Sequence, residues 1–401
     1  MTNRGPFLVS FCASLFWIGC GGGSGETGSG GSGGSASTSG PTTGVATSGV
    51  AATATSTGVG GGPAGRPFAY VGASDDKIHV FRVDPATGAL TPASEIDAGS
   101  GPSFLAFSPD HHSLYAVNEG SDELAAFAID ASTGALTFLN RVSSNGAGPA
   151  HVAVDATGGV VFGVNYGGGN LTMLGVSPSG ALGAPIVTMS TGKNAHELAL
   201  DPSNHFAFVP NLGVDDVSQL LFDAPGKTLV ANATPTVATA AGAGPRHMAF
   251  HPSAAFAYVI GETNDTMTAM AFDAALGRLS PIQTLSTLPM GVNGDTNTCA
   301  EVAFGKSGRF LYGSNRGHDS IVIFDVNETT GLMTLVGHQL TGGSAPRHFS
   351  IDPSGSFLYV GNQQSKEIVS FRIDPTTGKL TELFTTPLAG GPGFVGVIDL
   401  L

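Results

Sequence analysis

The stretch PRHFSIDPSGSFLYVGNQQSKEIVSFRID, Pro346 to Asp374, decides the fold. His348-Phe-Ser-Ile351 is a short apolar strand, and Asp352-Pro-Ser-Gly355 is turn chemistry. Phe357 to Val360 makes a second strand, and Ile368 to Ile373 alternates as a third. A second turn, Asp374-Pro-Thr-Thr-Gly378, leads into a fourth strand from Leu380 to Phe384. Four short antiparallel strands in about forty residues, with no helical period, form a sheet that needs neighbours like itself to bury its faces.

Those neighbours are in the chain. PSFLAFSPDHHSLYAVNEGSDELAAFAID starts at Pro102 and PRHMAFHPSAAFAYVIGETNDTMTAMAFD at Pro245. The aromatic of the second strand recurs at Tyr70, Tyr115, Phe162, Phe208, Tyr258, Tyr312 and Tyr359, at spacings of 45, 47, 46, 50, 54 and 47 residues. That period marks the blades of an all-β propeller. The first repeat begins at its second strand, Phe68 to Val71, and lacks a first strand; Gly393-Phe-Val-Gly-Val-Ile398 supplies it. The expectation is a seven-bladed β-propeller, four antiparallel strands per blade, with the C-terminal strand paired into the first blade so that no edge stays open.

Composition agrees. The chain has 401 residues with 60 Gly, 24 Pro and 41% hydrophobic residues, enough for a large core built of turns and strands. Lys+Arg is 16 against Asp+Glu 30, a net charge of -14, which excludes nucleic acid as a partner and disfavours an anionic membrane surface. Three cysteines build neither a disulfide framework nor a zinc cage. Before the repeats, an apolar run from Phe7 to Ile18 ends at Ile18-Gly19-Cys20. It is too short to span a bilayer and reads as an export signal, residues 1–20, of lipoprotein type with Cys20 lipidated. Residues 21–65 are a Gly/Ser/Thr-rich tether, and 66–401 the propeller domain. The expected location is the bacterial cell envelope, with the domain monomeric.

Antiparallel strands put the first-strand starts and the second-to-third-strand turns on one face of the disc. Those positions carry Pro149-Ala-His151, Asn194-Ala-His196, Pro245-Arg-His247 and Pro346-Arg-His348, with Asn118-Glu119, Asn165-Tyr166, Glu262, Asn315-Arg316-Gly-His318 and Asn362. In a chain so poor in Arg and His, they converge at one mouth of the axial channel. His151, His247 and His348 recur at equivalent positions, as architectural residues do. Glu262 is different: the other repeats mostly place Asn or Gln there, and a carboxylate beside Arg246 and Arg316 is site-like. Cys299 starts a strand as a small packed residue.

The chain resembles the seven-bladed propeller lactonases, which include bacterial 6-phosphogluconolactonases and fungal carboxy-cis,cis-muconate cyclases. The likeness runs from about Pro67 to Leu400. It is carried by Pro149-Ala-His-Val152, Asn165-Tyr-Gly-Gly-Gly-Asn170, Gly244-Pro-Arg-His247 and Arg309-Phe-Leu-Tyr-Gly-Ser-Asn-Arg-Gly-His-Asp-Ser-Ile321. The resemblance implies catalytic roles for His196, Arg246, Glu262 and Arg316. Around them, His151, Asn165, His247, His318, Arg347 and His348 are expected to bind substrate. Asn194 and Asn211 stand where the family often has His and Asp.

The implied reaction is hydrolysis of a small carboxylated or sugar-derived lactone without metal or cofactor. Glu262 or His196 would take the water proton, and Arg246 and Arg316 would hold the oxyanion. A 6-phosphogluconolactone is cytoplasmic, so an exported chain is expected to use another lactone. The competing reading is a non-catalytic envelope propeller that binds a ligand or protein at the same mouth.

Overall fold

A computed structural model describes residues 65–400. The signal segment, Cys20 and all of the tether but Gly65 lie outside the described residues. The described chain forms seven four-stranded antiparallel sheets and no helix. First strands run Pro392–Leu400, Leu105–Phe107, Pro149–Val154, Ala199–Leu200, Pro245–Phe250, Thr298–Phe304 and Pro346–Ile351, in blades 1 to 7.

Ring closure is as the sequence indicates. Pro392–Leu400 pairs antiparallel with Arg66–Ala73, matching Phe68 to Ile398 and Tyr70 to Gly396. Second strands are buried along most of their length, Phe357–Asn362 at every residue, because each is pressed between two neighbouring blades. Fourth strands such as Arg278–Ser286 alternate towards solvent at the rim.

The seven recurring aromatics are fully buried. Four of the tyrosines tie blade to blade through their hydroxyls. Tyr70 donates to Gly134 O at 2.9 Å, Tyr258 to Gly331 O at 2.8 Å, and Tyr312 to Gly378 O at 2.9 Å. Tyr359 donates to Gly88 O at 3.1 Å, joining the last blade to the first. The acceptor turns need glycine twice over. Gly88 has φ +78°, and a Cβ there would stand 2.5 Å from the Phe357 ring.

A second set of ties uses asparagine. Asn165 Nδ2 donates to Ser144 O at 3.0 Å, Asn315 Nδ2 to Thr287 O at 2.9 Å, and Asn362 Nδ2 to Thr341 O at 3.1 Å. Each spans from the end of a second strand to the preceding blade. The expectation that Asn165 binds substrate is therefore corrected. Its side chain is fully buried in a blade-to-blade tie.

A candidate active site at the channel mouth

Register defines two tiers of side chains at the entries to five of the seven first strands. Pro149, Pro245 and Pro346 pair with Asn165, Gly261 and Asn362, and Ala195 and Cys299 pair likewise with Asn211 and Asn315. The residue after each of these is Ala150, Arg246, Arg347, His196 and Ala300; the next is His151, His247, His348, Glu197 and Glu301. His196 is thus the counterpart of Arg246 and Arg347. It was expected beside the other three histidines, but Asn194, at φ +55°, is the counterpart of the left-handed Gly148, Gly244 and Ala345 and not of the prolines, so His196 falls one place earlier than the motif suggests.

Position 262 is corrected in the same way. The N–H groups of Glu119, Tyr166, Leu212, Glu262 and Gln363 each donate to a carbonyl just ahead of a first strand, at 2.8–3.1 Å. These residues are the counterparts of Glu262. The asparagines belong one place earlier, where blade 5 has Gly261.

The upper tier assembles the mouth. Arg246 is 2% exposed. Its Nη1 donates to Ala300 O at 2.7 Å, and its Nε lies 2.9 Å from Glu262 Oε2, off the line of the N–H, as a charge contact. Arg316 Nη2 lies 3.1 Å from the other oxygen, Glu262 Oε1, and donates to Cys299 O at 2.9 Å. One carboxylate therefore sits between two guanidinium groups. The Glu262 and Arg316 side chains keep 21% and 16% exposure, so the trio stays open to the mouth. Burial, and then Arg316, push Arg246 down to about 9, while Glu262 pulls it up; it remains a cation at neutral pH.

His196 is buried against Arg246. Its ring meets Tyr166 edge-on at 5.6 Å and His247 at 5.0 Å, and its Nδ1 has no hydrogen-bond partner among the described residues. Burial first, then the Arg246 charge, hold it well below the ordinary histidine value, so it is neutral. Tyr166, named by the sequence only within a motif, stands at the blade-3 counterpart of Glu262. Burial and Glu262 raise its phenol, leaving a protonated donor. Half-buried Arg347 completes the rim, and no ion pair or hydrogen bond among the described residues engages its guanidinium. His318 lies apart. Its Nδ1 contacts Ser320 Oγ at 2.8 Å and its ring faces His338, with no contact to the Glu262 trio, so the substrate-binding expectation for it is not met.

The lower tier closes the channel. Phe104 lies among rings from four other blades, with centroids 4.2 Å from His151, 5.7 Å from His247, 5.3 Å from His348 and 4.8 Å from Phe394. Glu301, a buried carboxylate of this tier, and Glu197, a mostly buried one, escaped the sequence reading. Glu301 Oε2 meets His247 Nδ1 at 2.9 Å and His348 Nε2 at 3.0 Å. Glu197 Oε2 accepts the Met248 N–H at 2.5 Å, and Oε1 lies 3.9 Å from His151 Nε2. The mouth is therefore a polar cup with a plugged floor. Among the described residues, no group of three or more His, Cys, Asp or Glu has the geometry to hold a metal ion.

Residues 68–397 match the family described as lactonase, seven-bladed β-propeller. The chain belongs to this lactonase family. Its reaction class is lactone hydrolysis. The 6-phosphogluconolactonase of Bacillus subtilis is 33% identical over 296 residues, covering 71% of this chain and 83% of the relative. That of Yersinia pestis is 33% identical over 330 residues, covering 82% and 97%. Among solved structures, the periplasmic gluconolactonase of Pseudomonas aeruginosa superposes with a TM-score of 0.77 at 27% identity, over 84% of this chain and 99% of that one.

Proposed function

We propose that this lactonase opens a small sugar-derived or carboxylated lactone at the mouth, with His196 as base and Arg246 and Arg316 as oxyanion donors. The carrying observation is the division of labour around Glu262. Each of its oxygens faces a guanidinium group, which suits Glu262 to hold the two arginines. His196 is held neutral by burial and then the Arg246 charge, and its Nδ1 has no partner among the described residues; with the ring proton on Nε2, that lone pair is free to take a proton from water brought in with the substrate.

The steps balance without an external reagent. Water adds through oxygen to the lactone carbonyl while its proton passes to His196 Nδ1. The carbonyl π pair becomes an oxyanion between Arg246 and Arg316. Collapse breaks the ring C–O bond, and the proton on His196 goes to the departing ring oxygen, giving the hydroxy acid. Glu262 holds the guanidinium groups and offsets their charge. The unengaged Arg347 receives a carboxylate or phosphate where the substrate bears one. Its rim neighbours Glu119 and Glu262 limit that attraction.

The export signal read over 1–20 favours a lactone met outside the cytoplasm. The Pseudomonas aeruginosa neighbour, named as a periplasmic gluconolactonase, supports that location and a non-phosphorylated aldonolactone. The test is acid release by the purified protein over gluconolactone, 6-phosphogluconolactone, carboxylated lactones and simple lactones, with chelator present. Turnover that collapses in His196→Gln supports the reading. Absence of turnover across the panel by folded protein refutes it in favour of a binding propeller.

A further inference from the structure

Arg246 is held from below as well as from the side. Its Nη1 lies 3.3 Å from His247 Nε2. A guanidinium only donates, so Nε2 must be the acceptor and the His247 proton must sit on Nδ1. That Nδ1–H points at Glu301 Oε2, 2.9 Å away across the boundary between blades 5 and 6. The same oxygen takes His348 Nε2–H from blade 7 at 3.0 Å, because His348 Nδ1 faces the Val395 N–H at 3.4 Å. Glu301 Oε1 accepts the Val302 N–H at 2.9 Å. All these directions agree with one arrangement: an ionised Glu301 and two neutral imidazoles.

The electrostatics point the same way. Burial alone would raise the Glu301 carboxyl, but His247 and His348 overturn it and hold the group well below its ordinary value. Burial pushes His247 down to about 4. His151, His348, Arg246 and Glu301 are the charged or titratable groups facing His247, and His196 meets its ring.

We propose that Glu301 is a positioning residue for Arg246, acting through His247 by fixing the imidazole as the Nδ1–H tautomer. Without that carboxylate the ring is free to turn an Nε2–H towards Arg246. Donor would then face donor, and the guanidinium would leave the place where the oxyanion forms. The catalytic part of this inference rests on the lactonase reading of the mouth; the tautomer does not.

The test has two arms on the full-length protein. Long-range ¹⁵N–¹H spectra of histidine-labelled protein report the His247 tautomer directly, assigned with His247→Asn. Nδ1–H is expected in the wild type and its loss in Glu301→Gln; an Nε2–H wild type overturns the proposal without any variant. In kinetics, Glu301→Gln is expected to lower kcat about 30-fold with KM within about threefold. On an Arg246→Lys background the same change is expected to cost less than about threefold. Glu197→Gln, in the other buried carboxylate of the tier, is expected to stay within about threefold of wild type. Equal losses in Glu197→Gln and Glu301→Gln, or a Glu301→Gln loss undiminished by Arg246→Lys, would show a general packing role and overturn the proposal. Should the wild type open no lactone, it is the functional reading that fails, and the tautomer still decides the relay.

Discussion

Arg246 and Glu262 meet at 2.9 Å within a single blade, one from the start of its first strand and the other from just beyond its second. Because one blade carries both, their spacing depends on a single hairpin and not on how blades settle against each other. Glu262→Gln removes the charge that two guanidinium groups face. kcat/KM should fall about 10²-fold, the scale of one lost preorganised electrostatic partner, with the fold intact. Steady-state kinetics beside a thermal melt checks both halves.

The pH profile tests the base. His196 acts when neutral, and its pKa lies well below the ordinary 6.5 because of burial and then Arg246. Protonation therefore arrives only on acidification past the usual histidine range. kcat/KM should stay level from pH 8 down through 6.5 and fall below that range. A limb centred at 6.5 or above would remove His196 from the role. His196→Gln should lower kcat about 10²-fold or more.

Glu197 gives a stability prediction of opposite sign to a surface carboxylate. Burial, and then Glu301, raise it well above the ordinary 4.5. The folded protein then holds a proton that the unfolded chain releases, so this contribution is intact below about pH 4.5 and declines as pH rises above it. Glutamine mimics the protonated form. The Tm of Glu197→Gln relative to wild type should therefore climb between pH 5 and pH 8, and a difference independent of pH would contradict the assignment.

Arg347 separates binding from chemistry. With no partner among the described residues and a place on the rim, it contributes where the substrate carries an anion. Arg347→Ala should raise KM about tenfold for a carboxylated or phosphorylated lactone and leave a neutral aldonolactone within about twofold. Equal effects on both substrates would make it a wall of the cup.

Deleting Pro392–Leu400 removes the inner strand of blade 1 and exposes the Arg66–Ala73 edge. The expected result is loss of the cooperative melt and aggregation, followed by calorimetry and light scattering.

What the sequence made legible follows from period and register. The seven aromatics sit at one structural place, so counting them counts blades. The missing first strand was visible as a shortfall at one end and a surplus at the other. Glu262, Arg246 and Arg316 were legible because charged residues are rare here. The lower tier was hidden by reading residue types in place of register. Glu301 occupies the place of His247 and His348, yet Cys299-Ala-Glu301 shares no letter with Pro-Arg-His. His196 looked like a fourth member of that set because Asn194 was aligned with the prolines, whereas it is the counterpart of the left-handed Gly148, Gly244 and Ala345 that precede them. Asn165 misled for a different reason. The amides at this place in blades 3, 6 and 7 tie each blade to the one before it, and for Asn165 that tie is to Ser144.

The closing pair of strands has a consequence for how the protein can be attached. Arg66 pairs with Leu400, and this junction replaces the turn that in other blades joins the first strand to the second. Those turns lie on the side of the disc away from Glu262, so Arg66 and Leu400 both stand at the rear of the propeller domain. A fusion partner or an immobilising resin joined at Leu400 is joined behind the mouth. A diffusing lactone then approaches from the front, and a C-terminal tag should leave kcat/KM unchanged.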